Sequence, residues 1–134
     1  MSPLLILAVA GAGGAAALVR YAVNHLAGDR GGLPWGIVAV NIAGSFIGGL
    51  AVAVVADEGL RVILLAGLCG GLTTFSTLAV DSAQLGSVPL GSGQAGSSPR
   101  GRRMRGILRG TANVTVTVVL GVAAAAAGFA LGGG

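Results

Sequence analysis

Four long stretches of this chain contain no charged residue: residues 1–19, 31–56, 62–80 and 110–134. Each is close to or above the length of about 20 residues that an α-helix needs to cross the hydrocarbon core of a bilayer. Only 9% of the 134 residues are charged and 54% are hydrophobic, which is typical of an integral membrane protein. The sequence therefore predicts an all-α membrane protein with four transmembrane helices.

The bounds of these helices follow from the glycine, proline and charged residues between the apolar stretches. We expect one membrane domain over residues 1–134. Its helices are predicted at about 3–26, 34–56, 60–85 and 107–131. Residues 86–106, rich in Gly, Ser and Pro and then in Arg, predict a flexible loop. A signal peptide is not expected at the start, because no basic segment precedes an apolar stretch longer than the usual roughly 7–15 residues.

All eight basic residues are arginine, and their placement predicts the orientation of the chain. Five of them lie between the third and fourth apolar stretches: Arg100, Arg102, Arg103, Arg105 and Arg109. Such an excess marks a cytoplasmic loop, so the net charge of +4 indicates membrane topology rather than nucleic-acid binding. With four crossings, Arg30 shares that side, whereas Arg61 and both termini lie outside. Anionic lipid headgroups can bind the basic loop.

Polar side chains inside the apolar stretches indicate a polar lining between helices, since such groups are costly in lipid unless they pair or face a cavity. Asn41 and Ser45 are four residues apart, as are Asn113 and Thr117, so each pair lies on one face of its helix. Amide and hydroxyl groups supply partial positive charge without a fixed cation. The pattern favours a site or pore for a small anion.

The segment GGLTTFSTLAV, residues 70–80, places several hydroxyl side chains around Phe75 in the third apolar stretch. Paired glycines weaken a helix, and Ser and Thr side chains offer the backbone other hydrogen bonds, so we expect a break at residues 70–74. Broken backbone at membrane depth is tolerated only where protein buries it or a polar cavity receives it. Its carbonyl groups can coordinate a cation, and its N–H and hydroxyl groups can donate to an anion.

Three strings of this sequence carry a family resemblance: GAGGAAALVRY, WGIVAVNIAGSFIGG and GLCGGLTTFSTLAVD. Together they resemble the CrcB/Fluc family of fluoride channels, and the likeness spans all four predicted helices. The resemblance implies two subunits packed antiparallel in a bacterial plasma membrane, with two narrow pores along the dimer interface. It also implies that fluoride passes through them passively, which lowers cytoplasmic fluoride and protects the cell from its toxicity.

The resemblance implies roles for individual residues as well. Gly70 and Thr73 match residues whose backbone carbonyls, from both subunits, hold a structural sodium ion that is not transported. Arg20 matches a structural arginine that ends the first helix. The residues expected to line the pore are Asn41, Ser45, Phe75, Ser76, Thr77, Leu78, Asn113 and Thr117.

Two positions depart from the family pattern. Leu78 stands where relatives have a second phenylalanine, and leucine lacks a positively polarised ring edge. Asn113 stands where many relatives carry tyrosine. The lost ring and the excess of arginine on one side favour a fixed orientation and a heterodimer with a related subunit inserted the other way, rather than a homodimer.

Two other functions are compatible with parts of the sequence. A small four-helix proton-coupled exporter needs a carboxylate within the membrane, and of the four acidic residues only Asp81 is placed for that role. The string GAGGAA, with Asp29 beyond it, has the outline of a dinucleotide-binding fingerprint, but no alternation of strands and helices follows. The sequence contains no nucleophile–base pair or metal-ligand cluster, so we expect no enzyme activity.

Overall fold

The computed structural model describes residues 2–27, 35–73 and 99–133, and of residues 99–106 and Arg109 it describes the backbone alone. Three short helices in the middle of the chain follow one another without a gap, and we call them together the third helical segment. The helices are α1 (Pro3–Ala27), α2 (Trp35–Val54), α3 (Glu58–Val62), the π-helix π1 (Ile63–Cys69), α4 (Gly70–Leu72) and α5 (Pro99–Gly132), of which α3, π1 and α4 form that segment.

Among the described residues, three helical stretches are long and apolar enough to cross a membrane: α1, α2 and Gly110–Gly132 of α5. None of the described residues lies in a strand. These observations confirm the predicted all-α class and the multi-pass membrane arrangement. The string GAGGAA, residues 11–16, lies inside α1, which rules out the dinucleotide-binding reading because that fingerprint requires a strand and a tight turn there.

The third helical segment runs parallel to α1, and glycines bring the two backbones together. A Cβ atom on Gly67 would lie 2.9 Å from the Val9 carbonyl oxygen, and one on Gly71 would overlap the Gly13 carbonyl oxygen. The residue numbers of the contacting pairs increase together along the two helices, from Val9 with Gly67 to Gly13 with Gly71, so the two helices point the same way. Close backbone approach of this kind is how helices pack in lipid, where apolar burial supplies little force between them.

α2 and α5 form the most extensive helix pair among the described elements. Gly121 approaches the Ser45 side chain, and Gly49 approaches the Ala125 backbone so closely that a Cβ atom would overlap its carbonyl oxygen. Later residues of α2 therefore meet later residues of α5, and these two helices are also parallel. The third helical segment, in contrast, is antiparallel to α2, because Gly48 meets Leu65 and the earlier Gly44 meets Leu72.

The turn between α2 and the third helical segment is held by side-chain bonds to the backbone. Asp57 caps α3, and its carboxylate accepts a hydrogen bond from the Leu60 N–H at 2.7 Å. The Arg61 guanidinium donates to the Val55 carbonyl oxygen through Nε at 3.0 Å and also through a terminal nitrogen. A cation at this point also suits the negative end of the α2 dipole.

The helix of the third segment ends inside the interval where the sequence predicts a break. π1 leads into a single short piece, α4, and Thr73 then has extended backbone with φ −82° and ψ 145°. A π-helix is rare and is often found next to functional sites. Residues 74–98 lie outside the described residues, so the predicted second half of this helix stays a prediction.

α5 begins earlier than the sequence predicts. The backbone is already helical at Pro99, whereas we expected a flexible loop over residues 86–106 and a helix from about residue 107. Proline suits the first turn of a helix, since its missing N–H has no partner there and its φ is already helical. Arginine is a good helix former, so a run of arginines after that proline continues the helix instead of interrupting it.

Candidate functional site

The polar residues of α2 and α5 meet between these helices, and we call Asn41, Ser45, Asn113 and Thr117 the polar seam. Asn41 is 7% exposed, Asn113 1% and Thr117 4%, while Ser45 is partly buried. The structure therefore brings together four residues that the sequence predicted to line a pore. Burial of so many hydrogen-bonding groups within membrane-spanning helices is unusual, because lipid offers them no partner.

The register of α2 and α5 sets the geometry of the polar seam. Gly121 packs against Ser45, since a Cβ atom on this glycine would lie 3.3 Å from the Ser45 Oγ. The same parallel register places Asn41 level with Thr117, one helical turn earlier on each helix. The glycines of α5 that continue this stripe are buried: Gly110, Gly121 and Gly128. Small residues above and below the polar groups thus hold the two helices close around them.

The hydroxyl of Thr117 distinguishes this seam from an ordinary helix contact. Its Oγ1 is buried and has no hydrogen-bond partner among the described residues. Asn41 and Asn113, in contrast, each make a polar interaction. A buried polar group without a partner costs about 1–3 kcal/mol, so Thr117 is a donor available to a ligand. Amide and hydroxyl groups at one level can together donate to a small anion.

The end of α4 forms the second part of the candidate site. The N–H and the Oγ1 of Thr73 both donate to the Cys69 carbonyl oxygen, each at 2.8 Å. These two bonds fix the residue at which the backbone leaves the helix. The last carbonyls of a helix lack donors from within it, and the negative end of its dipole lies there too, so this end favours a cation with backbone oxygen ligands.

We expect Thr73→Val to destabilise the protein by about 1 kcal/mol, because valine keeps the shape of threonine but cannot donate to Cys69. Thermal unfolding of the purified protein in detergent measures this effect. Thr111→Val is the matched control, since the Thr111 hydroxyl bonds its own helix at 2.9 Å on an exposed surface. An equal loss of stability in both variants would show that the Thr73 bond has no special role.

Other predicted residues have separate positions. Arg20 lies within α1 and is partly buried, and the neighbouring Tyr21 ring stacks on His25 with centroids 6.2 Å apart. Gly70 begins α4. Several predicted residues lie outside the described residues: Asp29, Arg30, Thr74, Phe75, Ser76, Thr77, Leu78 and Asp81. The described residues contain no group of three or more His, Cys, Asp or Glu side chains placed to hold a metal ion.

Cys69 has a part in the site that its residue type does not indicate. Its thiol is buried, and its backbone carbonyl accepts both bonds from Thr73. The signal was present, since Ser and Thr side chains commonly bond the carbonyl four residues earlier. That preference also applies to many threonines that have no such role, so spacing alone does not identify this one.

Comparison with protein families gives a match over most of the chain. A family model described as "CrcB-like protein, Camphor Resistance (CrcB)" matches residues 6–129, which include α1, α2, the third helical segment and most of α5. The match therefore takes in the whole polar seam and the end of α4.

Curated relatives share a substantial part of the sequence. "Fluoride-specific ion channel FluC 1" of Leifsonia xyli subsp. xyli is 41% identical over 91 residues, covering 63% of this chain and 66% of that protein. "Fluoride-specific ion channel FluC" of Paracoccus denitrificans is 47% identical over 85 residues, covering 60% of this chain and 67% of that protein. The protein of the same name from Hahella chejuensis is 33% identical over 135 residues, covering 96% of this chain and 92% of its own length.

Proposed function

The chain belongs to the CrcB family, and we propose that it is a subunit of a fluoride-selective ion channel in the bacterial plasma membrane. Passive efflux through this channel lowers cytoplasmic fluoride and protects the cell. The single observation that carries the proposal is the buried Thr117 hydroxyl, which has no partner among the described residues and lies in the polar seam. Relatives named as fluoride-specific ion channels supply the identity of the anion.

Hydrogen-bond donors of the polar seam replace part of the water that fluoride loses on entering the membrane. The Thr117 hydroxyl and the Asn41 amide are level with each other, and both can donate to the anion. Bonds to a charged partner are about twice as strong as those between neutral groups. The seam has no fixed cation, so it does not hold the anion too tightly for release. We place Phe75, Ser76, Thr77 and Leu78 on the same path.

We further propose that the chain crosses the membrane four times. The parallel directions of α2 and α5 support this number. The membrane-spanning part of α5 begins beside the start of α2, so the chain between them has to cross an odd number of times. The third helical segment, antiparallel to α2, is the first half of that crossing. We infer that a break near Thr73 separates it from a second half, which would lie among residues 74–98, outside the described residues. Broken backbone at this depth is compatible with a membrane where protein or a polar cavity surrounds it.

A structural sodium ion fits the end of α4, and we assign Gly70 and Thr73 of two subunits as its ligands. The donor set consists of backbone carbonyls, which are hard oxygen ligands suited to an alkali cation. The end of α4 is also the negative end of the helix dipole, which would favour a cation there. When bound, it supplies a positive charge that holds the two helix ends together. Arg20, within α1, serves the structure of the subunit.

We propose a heterodimer in which a related subunit has the opposite orientation. Six loop arginines, Arg30 and the five between the third and fourth apolar stretches, lie on one predicted side against Arg61 alone on the other. A chain that inserts both ways needs nearly balanced loops, and this one does not have them. Both termini then lie outside the cell. Leu78 fits the same arrangement, since one of two pores can lose a ring while the other conducts.

Fluoride efflux from liposomes tests the proposal. The purified chain is reconstituted alone and after co-expression with a CrcB-type relative of opposite charge bias, and chloride serves as the control ion. We expect fluoride-selective flux only when the relative is present. Selective flux from the chain alone would contradict the heterodimer but retain the channel. Absence of flux from both preparations, or flux that depends steeply on pH and is abolished by Asp81→Asn, would contradict the channel and favour an exporter.

A further inference from the structure

α2 presents two adjacent residues to two different neighbours. Ser45 faces α5, where Gly121 packs against its side chain. Gly44 faces the end of the third helical segment, and a Cβ atom on this glycine would lie 2.7 Å from the Thr73 Cγ2 and 3.3 Å from the Leu72 Cβ. Consecutive residues of a helix differ by only about 1.5 Å along its axis. The polar seam and the end of α4 therefore meet α2 at the same depth.

Asn41 of the polar seam lies between these two contacts. It precedes Gly44 by three residues and Ser45 by four, so it is one helical turn earlier and shares a side of α2 with both. Its side chain is buried. A movement of the end of α4 relative to α2 therefore changes the surroundings of a seam residue as well as those of Thr73.

The methyl group of Thr73 is held in place against α2. The Oγ1 of the same side chain donates to the Cys69 carbonyl oxygen at 2.8 Å, and a β-branched side chain has few χ1 conformations available. A rotation that turned the methyl group away from Gly44 would also move the hydroxyl and break this hydrogen bond. The contact thus requires a residue without a side chain at Gly44, and the close approach keeps the end of α4 against α2.

We propose that Gly44 is a positioning residue of the channel. It acts through Thr73, whose position it fixes, and thereby holds the end of α4 at the depth of the polar seam. Hydrogen bonds weaken steeply as their distance and angle change, so a side chain at Gly44 that separates α4 from α2 disturbs both parts of the candidate site. The effect on flux rests on the proposed function, whereas the contact between Gly44 and Thr73 does not.

The contact is tested through Cys69, the single cysteine of the sequence, whose thiol is buried. The full-length protein in detergent is treated with N-ethylmaleimide, and mass spectrometry measures the modified Cys69. A buried thiol reacts when the surrounding structure opens locally. Gly44→Ala should raise the reaction rate by at least about tenfold. Gly48→Ala is the matched control: its Cβ would lie 3.6 Å from the Cys69 Sγ, an ordinary contact, so the rate should stay within about twofold.

Thr73→Ser shows whether Gly44 acts through Thr73. Serine keeps the hydroxyl that donates to Cys69 and lacks the methyl group that a Cβ atom on Gly44 would meet. In the Thr73→Ser background, Gly44→Ala should therefore raise the reaction rate by only about two- to threefold, the remainder coming from the contact with Leu72. Gly49→Ala, which disturbs α2 against α5 instead, should have the same effect in both backgrounds.

Fluoride efflux from liposomes that contain the chain together with its related subunit measures the functional effect. Gly44→Ala should lower efflux by about tenfold or more, because both parts of the candidate site are displaced. In the Thr73→Ser background the same substitution should lower efflux by no more than about threefold, relative to Thr73→Ser alone. Gly48→Ala should leave efflux unchanged.

Several outcomes would overturn the proposal. An unchanged rate of Cys69 modification in Gly44→Ala would exclude a tight contact, and an equal effect of Gly44→Ala in both backgrounds would show that it does not act through Thr73. Normal flux in a Gly44→Ala variant whose Cys69 reacts faster would leave the contact without a role in the channel. If Gly44→Ala does not fold, Thr73→Ser should restore its folding, and failure to do so overturns the proposal. Absence of flux from the native protein contradicts the proposed function instead, and the modification rates then decide the contact alone.

Discussion

Replacing Thr117 with valine should lower fluoride efflux from liposomes that contain the chain together with its related subunit by roughly ten- to a hundredfold. A hydrogen bond to a charged group contributes about 1.5–3 kcal/mol, and each 1.4 kcal/mol corresponds to about tenfold in an equilibrium or a rate. Valine has nearly the shape of threonine, so the packing of α5 against α2 is kept. The variant lacks only the hydroxyl that is buried and has no partner among the described residues.

The same substitution should not lower stability, although it lowers flux. Without fluoride, the buried hydroxyl of Thr117 destabilises the folded protein, so Thr117→Val should unfold at an equal or higher temperature. Thr111→Val is the control for both measurements, because that hydroxyl is exposed and bonded to the Ile107 carbonyl. It should leave flux unchanged. Unchanged flux in Thr117→Val would remove this residue from the conduction path, and a joint loss of flux and stability would make its role structural.

Gly49→Ala should be the most destabilising small substitution in the described part of α2. A Cβ atom there would overlap the Ala125 carbonyl oxygen and lie 3.0 Å from the Ala125 Cα. These neighbours are backbone atoms, which cannot rotate away as a side chain does, so the two helices have to separate. We expect a cost at the upper end of the about 1–3 kcal/mol typical of overpacking. Thermal unfolding in detergent measures it.

The neighbouring residue provides the matched control. A Cβ atom on Gly48 would lie 3.6 Å from the Cys69 Sγ and 3.7 Å from the Leu65 Cδ2, which is ordinary van der Waals contact. Gly48→Ala should therefore be close to neutral, although it changes the same residue type on the same helix. Similar unfolding temperatures for the two variants would show that α2 and α5 are not packed as closely at Gly49 as described above.

Several features of this protein were predictable from local patterns. Long charge-free stretches identify membrane helices because lipid accepts no uncompensated backbone or charge. Spacing of four residues correctly placed Asn41 with Ser45, and Asn113 with Thr117, on common faces. The paired glycines before Thr73 predict a break there, which stays a prediction because residues 74–98 lie outside the described residues. Each of these inferences uses residues close to one another in the chain.

The start of α5 and the role of Cys69 were harder to predict. A Gly/Ser/Pro- and Arg-rich stretch resembles a loop in composition, but Pro99 is as compatible with a first helical turn as with a loop. For Cys69 the relevant group is a backbone carbonyl, which every residue has. Sequence patterns distinguish residues by their side chains, so they indicate a site made from backbone atoms only indirectly.

The sequence by itself therefore determined the membrane class, the faces that carry polar residues and the strong asymmetry of charge. Only the tertiary structure decided that the polar face of α2 meets that of α5, in parallel register, and that Thr117 is buried there. The physical reason is that all sides of a membrane helix are apolar enough for lipid, so hydrophobic periodicity does not select a partner. The partner is selected instead by close packing at glycines, between helices that are far apart in the chain.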